Sequence, residues 1–368
     1  MRTPSSLSIV QARCSVTKPS ALSANYSGQM RSLLDDHGRT ATDLRVSLTD
    51  RCNLRCTYCM PAEGLDWMPA DELLSDDELV RLIRVGVTRL GIDTVRLTGG
   101  EPLLRKNLEE LVGRVTSLRP RPQVALTTNG IGLARRAVAL RQAGLDRINV
   151  SLDTLDPDVF FRLTRRRRMD DVLAGIRAAA LAGLTPVKIN TVLMRGVNDG
   201  EAADLLRWAM AETARGDGVV QLRFIEQMPL DAQHAWDRHE MITAAEIRAQ
   251  LSEVGPIEEH ADDAAARGSA PAELFCVGDT GYRVGIIAAV TRPFCGACDR
   301  VRLTADGQIR NCLFSRTESD LRAPLRAGAS DDEIADRWLA AVANKLPGHG
   351  IDDPTFLQPD RPMSAIGG

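Results

Sequence analysis

Apolar and polar residues alternate one by one in four short stretches of this chain. Leu44, Val46 and Leu48 oppose Arg45, Ser47 and Thr49, while Val95 and Leu97 oppose Thr94, Arg96 and Thr98. Further on, Ile148, Val150 and Leu152 oppose Arg147, Asn149 and Ser151, and Val187 and Ile189 oppose Lys188 and Asn190. Period two marks strands with one buried face. Helix stop signals precede three of them: Gly91, Gly144 and Gly183 are each followed by an apolar residue, Ile92, Leu145 or Leu184. Ser75-x-x-Glu78, Thr243-x-x-Glu246 and Ser330-x-x-Glu333 are helix-starting capping boxes. Strands near 44–49, 94–98, 124–128, 147–152, 187–193 and 219–225, alternating with helices, predict a parallel α/β fold with right-handed crossovers.

The polar faces narrow the architecture. Strands covered by helices on both sides are nearly all apolar, and an ordinary eight-stranded barrel fills its centre with Val, Ile and Leu. Here the helices cover the apolar faces, so Arg45, Arg96 and Lys188 line an interior suited to a polar, anionic ligand. An incomplete, laterally open (β/α)6 TIM-type barrel accommodates this, followed by a smaller C-terminal domain. The expected divisions are a disordered extension over 1–40, the partial barrel over 41–255, the C-terminal domain over 256–345 and a tail over 346–368. Gly99-Gly100-Glu101-Pro102, Thr127-Thr128-Asn129-Gly130, Ser151-Leu152-Asp153 and Arg223 to Met228 all fall at C-terminal strand ends, where barrels carry their chemistry.

Composition removes several classes of function. A chain of 368 residues with 44% hydrophobic and 26% charged content can bury a large core. It has no run of about eighteen apolar residues to cross a membrane and no secretory leader pattern. Net charge −3 gives no basic field for nucleic acid. Lysine occurs only at Lys18, Lys106, Lys188 and Lys345, so a lysine inside a pattern carries more weight than an arginine. Eight cysteines, six of them in two groups, fit a reducing cytoplasm better than a disulfide scaffold. Cys14 stands apart in the extension.

The two cysteine groups are the candidate chemistry. Cys52, Cys56 and Cys59 stand at C-x3-C-x2-C spacing just after the first strand, and Cys295, Cys298 and Cys312 form a second set of three. Structural zinc and electron-transfer [4Fe–4S] clusters take four protein ligands. Three thiolates on a cluster leave one iron open to a small molecule. A zinc knuckle with its fourth ligand elsewhere, and a zinc ribbon borrowing Cys276, remain the alternatives at this point. Arg300-Val301-Arg302 lies between the later cysteines, and as a strand it would put both guanidiniums on one face, a fork suited to phosphate.

C-x3-C-x2-C with Tyr58 before the third cysteine resembles the radical S-adenosylmethionine superfamily. Within it, Arg45–Pro61, Arg96–Leu103, Leu126–Gly130, Asn149–Asp153, Cys295-x2-Cys298-x-Arg300-x-Arg302 and the terminal Gly367-Gly368 resemble the GTP 3′,8-cyclase family of molybdenum cofactor biosynthesis, over roughly 41–368. The resemblance implies two [4Fe–4S] clusters, on Cys52, Cys56 and Cys59 and on Cys295, Cys298 and Cys312. It implies S-adenosyl-L-methionine contacts at Tyr58, Gly100, Ser151 and Met228, and GTP contacts at Arg45, Arg96, Thr127 and Lys188. It gives Arg300, Arg302, Gly367 and Gly368 catalytic parts, the tail entering the active site. It further implies hydrogen abstraction from the ribose C3′ of GTP and attack on C8. The implied partners are a downstream cyclic pyranopterin monophosphate synthase and an electron donor such as flavodoxin or ferredoxin, with no nucleic acid or membrane and the protein a monomer or homodimer. Relatives often carry lysine two residues before the Arg96 position, where this chain has Thr94. A peptide maturase is the competing reading, though it leaves Arg45, Arg96 and Lys188 unexplained.

Overall fold

The computed structural model describes residues 30–259, 263 and 266–367. Cys14, most of the expected extension and Gly368 lie outside the described residues. The six expected strands are present as β1 (Asp43–Ser47), β2 (Thr94–Thr98), β3 (Gln123–Thr128), β4 (Arg147–Ser151), β5 (Val187–Val192) and β6 (Val220–Ile225), all parallel in sequential order. Leu44, Val95, Leu97, Val124, Leu126, Ile148, Val150, Val187 and Ile189 are fully buried beneath the helices. Burial of each such side chain contributes roughly 1.5–3 kcal/mol, which is why the alternation fixes the register: a one-residue slip would bring the arginines onto the helices.

The helix signals act as read. Ser75 and Glu78 form a reciprocal capping box on α1 (Asp76–Arg89), and Thr243 and Ser330 start two later helices in the same way. At the end of α1, Gly91 takes φ 75° and Ile92 N–H reaches back to the Gly86 carbonyl at 3.0 Å. That left-handed turn drops the buried Ile92 onto the sheet.

Residues after 256 do more than add to one side. β7 (Ile257–Glu259), β8 (Glu273–Val277), β9 (Arg283–Ile287), β10 (Arg300–Leu303), β11 (Gln308–Arg310) and β12 (Ser319–Asp320) join the same twelve-stranded sheet at both edges. β10 runs parallel beside β1 and β9 parallel beside β6, so the parallel run is β10-β1-β2-β3-β4-β5-β6-β9. The six-stranded expectation holds for the β/α repeat; two further parallel strands continue its curved inner face.

Residues 30–40, expected as part of a disordered extension, are ordered. Leu33 is fully buried, Leu34 bridges Thr40, and the buried pair Asp35–Arg39 closes the turn between them at 2.6 Å.

Candidate active site

The loop after β1 places Cys52, Cys56, Tyr58 and Cys59 in the wall of a cavity of about 160 Å³, together with Gly100, Thr127, Asn129, Ser151 and Asp153 from the ends of β2, β3 and β4. Backbone bonds seat the loop on α2 (Pro157–Thr164): Arg55 N–H donates to Thr164 O at 3.0 Å and Thr57 N–H to Leu163 O at 2.9 Å. Arg55 turns its guanidinium back onto the carbonyls of Cys52 and Leu54, both at 2.8 Å, beneath Trp67. Arg165, in a left-handed conformation at the end of α2, donates to Arg55 O at 2.9 Å. Gly100 closes against the loop from the other side. A Cβ there would collide with the backbone oxygens of Arg51 and Asp50, while Glu101 N–H donates to Arg51 O at 2.8 Å.

Burial drives all three thiols upward, Cys52 to about 11 and Cys59 to about 12, with Cys56 well above its ordinary value. Neighbouring thiols add to the effect at Cys56 and Cys59. Three sulfurs in one poorly solvated wall become stable thiolates when a cation sits among them. Among the described lining residues there is no fourth cysteine and no histidine. The donor set therefore fits a [4Fe–4S] cluster with one open iron better than a closed zinc site.

Two buried carboxylates organise the cavity rim. Glu101 accepts from Thr128 Oγ1 at 2.6 Å, Asn129 N at 2.7 Å and Leu103 N at 2.9 Å, yet burial outweighs these bonds and raises it to about 7. Asp153 accepts from Tyr58 Oη at 2.7 Å and Val192 N at 2.9 Å, and burial raises it to about 6. Tyr58, expected as a cofactor contact, thus has its hydroxyl already committed to Asp153.

The inner face of the sheet is a cationic surface. In register across three strands stand Arg302, Arg45 and Arg96, and Arg96 and Arg147 both pair with Ala125. Lys188 and Arg223 follow on β5 and β6, with Arg223 donating to Asn190 Oδ1 at 2.6 Å. Asp43 offers a carboxylate to this group, 3.4 Å from Arg45. Burial, reinforced by the neighbouring cations, lowers Arg223 and Arg302 to about 9, Lys188 to about 7, and Arg96 well below its ordinary value. Among the described residues, buried nitrogens of Arg45, Arg96, Arg147, Arg223 and Arg300 have no hydrogen-bond partner. Such an assembly is unfavourable by itself and complementary to a polyanion. Arg147 and Arg223 were not among the expected ligands, although Arg147 already stood on the polar face in the alternation. Another recess, about 290 Å³ and lined by Arg310, Arg316, Glu318, Asp360 and Arg361, has mutually paired charges.

The second cysteine group faces the same interior. Cys295 and Cys298 flank one tight turn immediately before β10, where both Arg300 and Arg302 are buried, and Cys312 follows β11. Burial raises the Cys295 thiol; at Cys298 burial acts the same way, but Lys345 and Arg300 outweigh it and the thiol is lowered. Cys276 lies on β8, near the other end of the strand order, paired in register with Glu258 and Arg283.

The tail enters between the two groups. Arg361 clamps Asp306 at 2.9 and 2.7 Å, and a short helix, Met363–Ile366, follows. Ser364 lines the first cavity together with Cys59. Gly367 packs so closely that a Cβ would lie 3.0 Å from Thr98 Cγ2 and 3.1 Å from Ser47 Cβ, and its carbonyl accepts from Arg302. Met228 does not line the first cavity; it packs against Met241, Val290 and Ile351.

The parallel sheet and a three-thiol loop on its first strand define a radical S-adenosylmethionine protein, and residues 46–209 match the Radical SAM superfamily. Residues 220–351 match the family Molybdenum Cofactor Synthesis C. Similarity extends along most of the chain to proteins named GTP 3′,8-cyclase. That of Streptomyces coelicolor is 63% identical over 91% of this chain and 96% of its own length. That of Mycobacterium sp. (strain KMS) is 60% identical over 91% and 93%, and that of Corynebacterium glutamicum 56% identical over 92% and 90%. The chain belongs to the GTP 3′,8-cyclase family. Membership implies S-adenosyl-L-methionine and [4Fe–4S] clusters.

Proposed function

We propose that this protein converts GTP into (8S)-3′,8-cyclo-7,8-dihydroguanosine 5′-triphosphate, the first step of molybdenum cofactor biosynthesis. The cationic interior carries the reading: its unpartnered guanidinium nitrogens lie on a sheet with a three-thiol group at either end of the substrate space. Bound to Cys52, Cys56 and Cys59, a cluster with S-adenosyl-L-methionine supplies one-electron hydrogen abstraction. Tyr58, Gly100 and Ser151 shape the space beside it.

Arg45, Arg96, Thr127 and Lys188, joined by Arg147 and Arg223, hold the triphosphate and ribose of GTP. Arg300 and Arg302 stand beside the second group on Cys295, Cys298 and Cys312, where the guanine end lies. The buried tail, with Ser364 and Ile366 against the interior, excludes water from a reactive substrate radical and brings Gly367 to the site. In balance, the C3′ hydrogen leaves, C3′ bonds to C8, and one electron and one proton complete the product. A cyclic pyranopterin monophosphate synthase receives that product, and a flavodoxin or ferredoxin supplies electrons in the cytoplasm, to a monomer or homodimer. No helix of the described residues is long and apolar enough to cross a membrane.

Anaerobic reconstitution with iron and sulfide, then incubation with GTP, S-adenosyl-L-methionine and reductant, tests the reading. The cyclised nucleotide and 5′-deoxyadenosine are expected together. S-adenosyl-L-methionine cleavage that leaves GTP untouched would contradict it.

A further inference from the structure

Lys345 is one of four lysines in a chain that otherwise uses arginine, and it is buried to 4% exposure without a carboxylate partner among the described residues. Its ammonium donates to Arg300 O at 2.8 Å and Cys298 O at 3.1 Å, and the remaining direction points to Cys298 Sγ at 3.4 Å. The two carbonyl bonds fix the nitrogen independently of what the sulfur binds. A short, compact point charge suits this position; a planar guanidinium would overreach it.

The lysine is held in turn by Arg39. That guanidinium gives Nε to Asp35 at 2.6 Å, one amino group to Cys295 O and Pro347 O at 2.8 and 3.0 Å, and the other to Lys345 O and Leu346 O at 3.3 and 2.7 Å. All five donors of Arg39 are therefore used. Its bonds tie the second cysteine turn to the stretch carrying Lys345, from a segment that precedes β1.

We infer that Lys345, locked by Arg39, is a positioning residue for the second iron–sulfur cluster: its charged N–H···S bond to Cys298 stabilises the more negative, reduced state. The inference rests on Cys295, Cys298 and Cys312 holding a cluster. Hydrogen bonds to ligating sulfur and nearby positive charge raise a cluster's reduction potential. Removing the charge disfavours reduction.

The test uses the full chain with Cys52, Cys56 and Cys59 changed to Ala, so that iron reports on the second group alone. Reconstituted protein is titrated with dithionite and followed by electron paramagnetic resonance, with and without Lys345→Gln, Lys345→Arg or Arg39→Met. Lys345→Gln keeps a donor for the carbonyls and loses the charge. It is expected to lower the equilibrium constant for one-electron reduction about tenfold, a midpoint about 59 mV more negative. Lys345→Arg recovers part of the shift, and Arg39→Met moves the midpoint in the same direction without adding to Lys345→Gln. An unchanged midpoint in Lys345→Gln at full iron content, roughly four per chain, overturns the inference alone. A background protein that takes up no iron overturns the cluster assignment and this inference with it.

Discussion

Replacing Lys188 by Ala tests the cationic interior at its most adjustable charge. Lys188 stands beside Asn149 and Gln221 in register, and burial, then Arg223, Arg147 and Arg96, lower its ammonium to about 7. In the free protein it is close to half protonated at neutral pH. A triphosphate beside it favours the charged form, so binding takes up a proton above about pH 7. A charge-assisted contact is worth about 1.5–3 kcal/mol, and about 1.4 kcal/mol is tenfold in affinity. Lys188→Ala is thus expected to weaken GTP binding roughly ten- to a hundredfold near pH 6.5. The wild-type Kd should rise as pH goes from about 7 to 8.5, because the neutral amine must recover its proton, while the variant is flatter over that window. Calorimetric titration with GTP in buffers of different ionisation heat reads affinity and proton uptake together, with S-adenosyl-L-methionine binding as the control. A variant with wild-type affinity and proton uptake refutes the argument. Equal losses for both ligands would indicate a damaged barrel.

Cys56→Ala should abolish S-adenosyl-L-methionine cleavage, whereas Cys298→Ala should retain some uncoupled cleavage to 5′-deoxyadenosine; normal cyclisation by the Cys298 variant would make the second group merely structural. Gly100→Ala forces a methyl group into the carbonyls of Arg51 and Asp50 and should deplete first-group iron, read by iron analysis, in a chain that still melts cooperatively. Deleting Gly367 and Gly368 should spare both clusters and GTP binding and severely reduce cyclised product, with a peptide ending Ser364-Ala365-Ile366-Gly367-Gly368 restoring part of it. Full turnover by the truncated chain would leave the tail without a role.

The parts legible in the sequence were those set by local periodicity. Val95 and Leu97 against Arg96, or Val187 and Ile189 against Lys188, determine which face meets the helices, so strand positions and the charged interior follow together. Capping boxes and the turn at Gly91 are equally local. The parallel placement of β9 and β10 was not legible, because nothing in Arg283–Ile287 or Arg300–Leu303 says which edge each will join. Arg165 stands in a run of four arginines whose composition gives it no special place, yet its left-handed backbone aims it at the cysteine loop. Arg39 and Asp35 lay inside a stretch whose composition suggested disorder; only the distant carbonyls of residues 345–347 give their ion pair a purpose. Met228 followed from motif position alone, and its partly buried side chain packs against Met241, Val290 and Ile351.

The central claim is that the interior presents the ribose C3′ of GTP for hydrogen removal. GTP deuterated at C3′, supplied to the anaerobic reconstituted protein with unlabelled S-adenosyl-L-methionine, tests it most directly by mass spectrometry of both products. The account predicts deuterium in 5′-deoxyadenosine and its loss from a nucleotide bonded between C3′ and C8. Unlabelled 5′-deoxyadenosine alongside a cyclised product, or GTP recovered intact while cleavage proceeds, would contradict it.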